Sequence, residues 1–141
     1  VGYGADYQKM HTLAFDTFQF NPQRIRFVHK PTEQELLELY RCADLFIFPS
    51  QTDTQGIVLA ESMSQGLPVI ALDGPGQRDI IENGTNGFIV QNAQEMAKKI
   101  LLLAHNPEQM KLLQQEARIT TQNYTTNAIT KKLLDLYSRL I

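Results

Sequence analysis

Two kinds of hydrophobic pattern alternate along the chain. Residues 45–48 (Leu-Phe-Ile-Phe) and 69–72 (Val-Ile-Ala-Leu) are apolar at every position, and each run ends in turn-forming residues, Pro49-Ser50 and Asp73-Gly74-Pro75-Gly76. Strands apolar on both faces belong in a parallel sheet covered by helices. Residues 88–90 read as another such strand, and 1–3 and 25–28 as two more. Between them the apolar positions recur every three or four residues, the period of a helix with one buried face. Residues 6–18 place Met10, Leu13, Ala14 and Phe18 on one stripe. A helix entered at Thr32 buries Leu36, Leu37, Leu39, Tyr40 and Ala43. Its start is a capping box, in which the Thr32 hydroxyl meets the Glu35 amide and the Glu35 side chain reaches back. Residues 56–65 form a helix stopped by Gly66 and Pro68, and 78–82 a shorter one before the turn signals Asn83-Gly84 and Asn86-Gly87. Helices then follow at 93–105, 107–122 and 126–140, the last with Ile129, Leu133, Leu136 and Leu140 on one side.

This order predicts an α/β fold: a Rossmann-like doubly wound parallel sheet with helices on both faces and further helices at the C-terminus. The 141 residues suit a single domain, with the motifs in 1–105 and C-terminal helices in 106–141. Sheets of this kind bind ligands beyond the carboxyl ends of their strands. The loops at 2–6, 29–32, 49–56 and 73–77 are therefore the places to look for chemistry.

Composition narrows the function classes. Hydrophobic residues make up 43% and charged residues 20%, as in a folded globular chain. No apolar run is long enough to cross a bilayer. Residues 1–97 carry 6 Lys/Arg against 12 Asp/Glu, whereas 98–141 carry 7 against 3. An acidic body argues against nucleic acid as a partner, and the basic tail leaves room for peripheral contact with an anionic membrane. The expected location is cytoplasmic, with such contact at the inner membrane face. The single cysteine, Cys42, excludes disulfides and is expected to be a buried thiol. His11, His29 and His105 lack metal-ligand spacing, and neither a metal nor another cofactor is expected.

The segment after the third strand is the most informative. It runs from a strand end through a polar loop to a helix start at Gln55-Gly56-Ile57. The first amides of a helix have no intrahelical partner and carry partial positive charge, which suits an anion such as phosphate. Capping by Asp53 or Thr54 is the competing explanation. Glu61 lies among Ile57, Val58, Leu59, Ala60 and Met63, so it is expected to be poorly solvated and to need donors. Those could be ligand hydroxyls or an arginine such as Arg78.

Several stretches resemble, in order and spacing, the retaining glycosyltransferases of the GT-B fold, family 4. Asp53-x7-Glu61 is similar to their E-x7-E pair. Ser62-Met63-Ser64-Gln65-Gly66-Leu67-Pro68-Val69-Ile70-Ala71 is similar to A-M-A-x-G-x-P-V-I-A, and Asn83-Gly84-x-x-Gly87 to D-G-x-x-G. Val1-Gly2-Tyr3-Gly4 resembles a G-x-G turn, and Tyr40-x-x-Ala43-Asp44-Leu45-Phe46-x-x-Pro49-Ser50 a further family stretch. The resemblance implies the nucleotide-sugar lobe of a two-lobed enzyme, truncated at its N-terminal side, that needs the acceptor lobe and transfers nothing alone. It implies Asp53 and Glu61 as catalytic-site acids, the first on the donor sugar and the second on the ribose. Gln55, Gly56, Ile57 and Val58 would bind the sugar and diphosphate, and His29, Lys30 and Pro31 the nucleobase. The implied donor is a UDP-hexose such as UDP-glucose, and the acceptor a lipid or surface glycan. Asp53 is one methylene shorter than the family's glutamate. The alternatives are a nucleotide-sugar epimerase on the same fold and a non-catalytic binding module. A nicotinamide fold is disfavoured because Tyr7 stands where the third fingerprint glycine should be.

Overall fold

The computed structural model describes Val1 and residues 4–140, in two compact units, 1–39 and 40–141. The expected strand at 1–3 falls partly on Gly2 and Tyr3, which lie outside the described residues.

In the first unit, helix α1 (Tyr7–Thr12) continues into a π-helical turn, Leu13–Thr17. The Phe18 amide bonds the Leu13 carbonyl at 2.9 Å, five residues back. The stripe expected for residues 6–18 is not the one that forms. Ala14 is buried, but Met10 and Phe18 are exposed. The inward row is instead aromatic: Tyr7, His11 and Phe15 surround Phe27, with ring centroids 5.4–5.9 Å from it. Residues 25–28 form no strand; they supply Phe27 to this cluster. The capping box forms as expected. Glu35 accepts from the Thr32 amide and hydroxyl at 2.8 and 2.9 Å, and Thr32 Oγ1 accepts from the Glu35 amide at 3.3 Å. These two Thr32 donors hold the Glu35 carboxyl below its ordinary pKa. It opens α2 (Glu33–Cys42).

The second unit holds a parallel sheet of β1 (Phe46–Phe48), β2 (Val69–Leu72) and β3 (Gly87–Val90), in that spatial order. Phe46 pairs with Val69, and Val69 with Gly87. Helix α3 (Ile57–Ser64) connects β1 to β2, and α4 (Pro75–Ile80) connects β2 to β3. After them come α5 (Ala93–Ala104), α6 (Pro107–Gln122) and α7 (Thr126–Tyr137).

Alternation along each strand divides the core into two. Val69 and Ala71 face one cluster with Leu59, Met63, Ile80, Ile81 and Ala117. Ile70 faces the other with Phe88, Val90, Met96, Leu103 and Leu113. Helices thus cover both faces, which is why the strands could be apolar throughout. Gly87 packs against the Val69 backbone so closely that a Cβ would overlap it. Asn86, almost fully buried, ties the turn down by donating to the Ile80 carbonyl and to Thr120 Oγ1 at 3.1 and 3.0 Å.

Three further expectations need correction. Helix α4 begins at Pro75 rather than Arg78 and ends at Ile80, because Pro75 is preorganised for the first helical position. Ala43 and Cys42 are exposed, the latter a free thiol, because α2 turns only Tyr40 fully inward. The stripe of α7 (Ile129, Leu133 and Leu136, with Leu140 beyond its end) is exposed. Among the described residues no helix is long and apolar enough to cross a membrane.

Candidate functional site

The loop leaving the carboxyl end of β1 and the loop leaving β2 are pressed together. The Gly76 amide donates to the Asp53 carbonyl at 3.0 Å. A Cβ on Gly56 would lie 2.6 Å from the Gly76 carbonyl oxygen and from Ile80 Cδ1. A Cβ on Gly76 would lie 2.7–2.9 Å from the Gly56 and Gln55 nitrogens and Asp53 Oδ1. Gly56 also takes φ +63, a left-handed conformation that glycine adopts without steric cost. The seam thus requires a glycine from each side.

Asp53 organises the first loop. Its Oδ1 accepts from the Gln55 amide at 2.9 Å and the Gly56 amide at 2.6 Å. The Leu59 and Ala60 amides both turn to the Gly56 carbonyl, at 3.0 and 3.1 Å. The amides of Ile57 and Val58 have no partner among the described residues. The helix start therefore offers two free N–H groups while Asp53 closes two others. The expected cap does not form: the N-cap is Gly56, no side chain caps α3, and Asp53 instead closes the turn just ahead of the helix. Asp53 Oδ2 accepts no hydrogen bond among the described residues. Thr52, Asp53, Thr54, Gln55 and Ile57 line an open groove of about 250 Å³.

Glu61 differs from expectation. It is exposed, and it neither pairs with Arg78 nor accepts a side-chain hydrogen bond among the described residues. Arg78 instead makes a two-pronged contact to Asp73 at 2.7 and 2.8 Å. The hydrogen bond from Arg78 holds the Asp73 carboxyl below its ordinary pKa, helped by Gln91 and the Gly74 amide. Helix α3 turns Leu59, Ser62 and Met63 inward, and Ser62 satisfies its own hydroxyl on the Leu59 carbonyl at 2.9 Å. This leaves Ile57, which is 57% exposed, and Glu61 one turn later on the open side. Glu61 is thus a carboxylate without an internal partner, about 6 Å along the helix from the free amides. Burial, with the Glu61 charge adding to it, pushes the Tyr40 phenol above its ordinary pKa. Tyr40 packs edge-on against Phe46, 5.7 Å between centroids.

His29, Lys30 and Pro31 belong to the first unit. The His29 ring lies 4.5 Å from that of Tyr7, and Lys30 has φ +48. Gly76 and Gln77 were not singled out from the sequence. The Gly-Pro-Gly turn after an apolar run was their signal, but their role depends on a partner more than twenty residues away. Among the described residues no three His, Cys, Asp or Glu side chains are grouped to hold a metal ion.

The sequence profile described as Glycosyl transferases group 1 matches residues 1–120. The chain belongs to this family. It is 35% identical over 104 residues to the sulfoquinovosyl transferase SQD2 of Arabidopsis thaliana, covering 70% of this chain and 20% of the relative. It is 31% identical over 102 residues to the alpha-monoglucosyldiacylglycerol synthase of Acholeplasma laidlawii, covering 72% and 26%. TarM superposes with a TM-score of 0.78 at 29% identity, over 95% of this chain and 27% of TarM. The chain thus spans between a fifth and a third of the curated relatives it matches. The structural neighbours are GT-B glycosyltransferases, and the group 1 chain corresponds to the C-terminal region of that fold. The expected fold class, a parallel α/β sheet covered on both faces, is therefore correct.

Proposed function

We propose that this group 1 chain is the donor-binding lobe of a retaining family 4 glycosyltransferase that uses a UDP-hexose, UDP-glucose in the first instance. One observation carries the reading: two unpartnered amides at the glycine-lined start of α3, with a free carboxylate one turn further along the same open face. A diphosphate would be met by the Ile57 and Val58 amides and the positive end of the helix, with no metal required. The Glu61 carboxylate would accept from the vicinal ribose hydroxyls. Asp53 would hold the loop through Oδ1 and offer Oδ2 to the sugar. In the reaction, the amides would stabilise charge growing on the departing diphosphate, often the largest single contribution to catalysis. A TarM mutant from S. aureus has been crystallised with Fondaparinux, alpha-GlcNAc-glycerol and UDP, which supports UDP as the nucleotide. The names of the relatives SQD2 and the monoglucosyldiacylglycerol synthase support a hexose-like donor, and the second supports a lipid acceptor.

The test is transfer from UDP-glucose to a diacylglycerol-type acceptor by the full-length protein, with and without Glu61→Ala. Losing a charge-assisted hydrogen bond costs ~1.5–3 kcal/mol, so the donor KM should rise roughly ten- to a hundredfold. An unchanged KM and kcat would remove Glu61 from the site. Donor hydrolysis at full rate without any acceptor would favour the epimerase.

A further inference from the structure

Gln77 sits in the first turn of α4 and is fully buried, 0% exposed. Its amide does not serve its own helix. Nε2 donates to the carbonyl of Ser50, 27 residues earlier, at 2.5 Å. Ser50 opens the loop that carries Asp53 and leads to the free amides of α3. Gln77 Oε1 is buried and accepts from nothing among the described residues.

The neighbouring main chain supplies Oε1 no donor: Pro75 has no N–H, and the Gly76 and Arg78 amides are held by the Asp53 and Gly74 carbonyls. Turning the side-chain amide over would set Oε1 against the Ser50 carbonyl, acceptor against acceptor, so the orientation is fixed by chemistry. The space is equally constrained: a Cβ on Gly74 would lie 2.7 Å from Oε1. A buried acceptor without a donor is costly and is rare in native proteins. A leucine or methionine would fill the same volume without that cost. An amide kept here at a cost to stability points to a positional role, since local rules are broken chiefly at functional sites.

We propose that Gln77 is a positioning residue for the donor site: it fixes the 50–56 loop against the loop after β2, and so sets where the Ile57 and Val58 amides stand. The loop claim stands on the geometry alone; its effect on ligand affinity rests on the donor-site reading above. Gln77 touches no reacting group and acts only through the Ser50 main chain.

The experiment compares the full-length wild type with Gln77→Met, which keeps the volume, and Gln77→Glu, whose carboxylate accepts but cannot donate. Three quantities are measured: amide hydrogen exchange across residues 50–58 in the free protein, Tm, and the Kd of UDP. Faster exchange in 50–58 in both variants, with the Met variant's Tm unchanged or raised, supports the proposal. UDP binding should then weaken about tenfold, the worth of one net hydrogen bond in loop order. Exchange unchanged in whichever variant folds overturns it. So does a Tm loss with exchange accelerated uniformly along the chain, which marks a merely structural side chain. A wild type that does not bind UDP overturns the donor-site reading while leaving the exchange result to decide the loop claim.

Discussion

The seam between Gly56 and Gly76 makes a sharp prediction because it is approached from both sides. Gly56→Ala meets two penalties. At φ +63 a residue with a Cβ loses ~1–2 kcal/mol. The added methyl would also sit 2.6 Å from the Gly76 carbonyl oxygen, and overpacking of this kind costs ~1–3 kcal/mol. The sum is about 2–5 kcal/mol, a large part of a typical domain's ~5–15 kcal/mol. Gly76 has no positive φ, so Gly76→Ala meets only the overpacking of ~1–3 kcal/mol against the Gly56 and Gln55 nitrogens and Asp53 Oδ1. Both variants separate the same two loops, so once one methyl has opened the seam the second should cost less. The double variant should fall short of additivity by ~0.5–3 kcal/mol. Chemical denaturation of the full-length protein measures all three, and UDP titration shows whether the displaced α3 amides still bind. A Gly56→Ala variant as stable as wild type would refute the seam. Strict additivity would show that the two glycines act separately.

Asp53→Asn keeps an Oδ1 acceptor and should retain most of the loop's order, whereas Asp53→Ala frees two amides and should cost ~1–2 kcal/mol in denaturation. Donor KM then separates the roles: if Asn is as impaired as Ala, the charge itself meets the sugar. Asp73 has a folded pKa below its unfolded one, owing first to the hydrogen bond from Arg78, so its contribution is complete above the ordinary carboxylate range and is lost as pH falls through the lowered value. Arg78→Met should therefore flatten the acid side of the stability–pH curve, and an unaltered acid limb would contradict the assignment. Cys42 is exposed, so the native protein should react with a thiol reagent at the rate of a free thiol; labelling only after denaturation would contradict its placement.

Much of the framework was already written in the chain. Residues 45–48 and 69–72 were legible as buried strands because a run apolar on both faces has no other stable home in water than a covered sheet. The limit of 56–65 followed from its local stops, Gly66 and Pro68; the helices at 93–105 and 107–122 were also legible, and the structure shows Asn92 and Asn106 capping them by accepting from the Glu95 and Gln109 amides. The helix start could be named from its strand-loop-helix order, and the acidic pair from the family resemblance.

Tertiary structure decided which way those groups face. Glu61 was surrounded in sequence by apolar neighbours, and sequence order does not say which side of a nearly all-apolar helix meets the sheet. Packing chose Leu59, Ser62 and Met63, leaving Glu61 in the open. The same holds for Cys42, and for residues 6–18, where Tyr7, His11 and Phe15 rather than Met10 and Phe18 turn towards Phe27. The bond from the Gly76 amide to the Asp53 carbonyl and the reach of Gln77 to Ser50 join segments more than twenty residues apart, and the glycine seam closes between them. Local propensity acts over a few residues, so contacts of that span exist only once the parallel sheet brings the ends of β1 and β2 side by side.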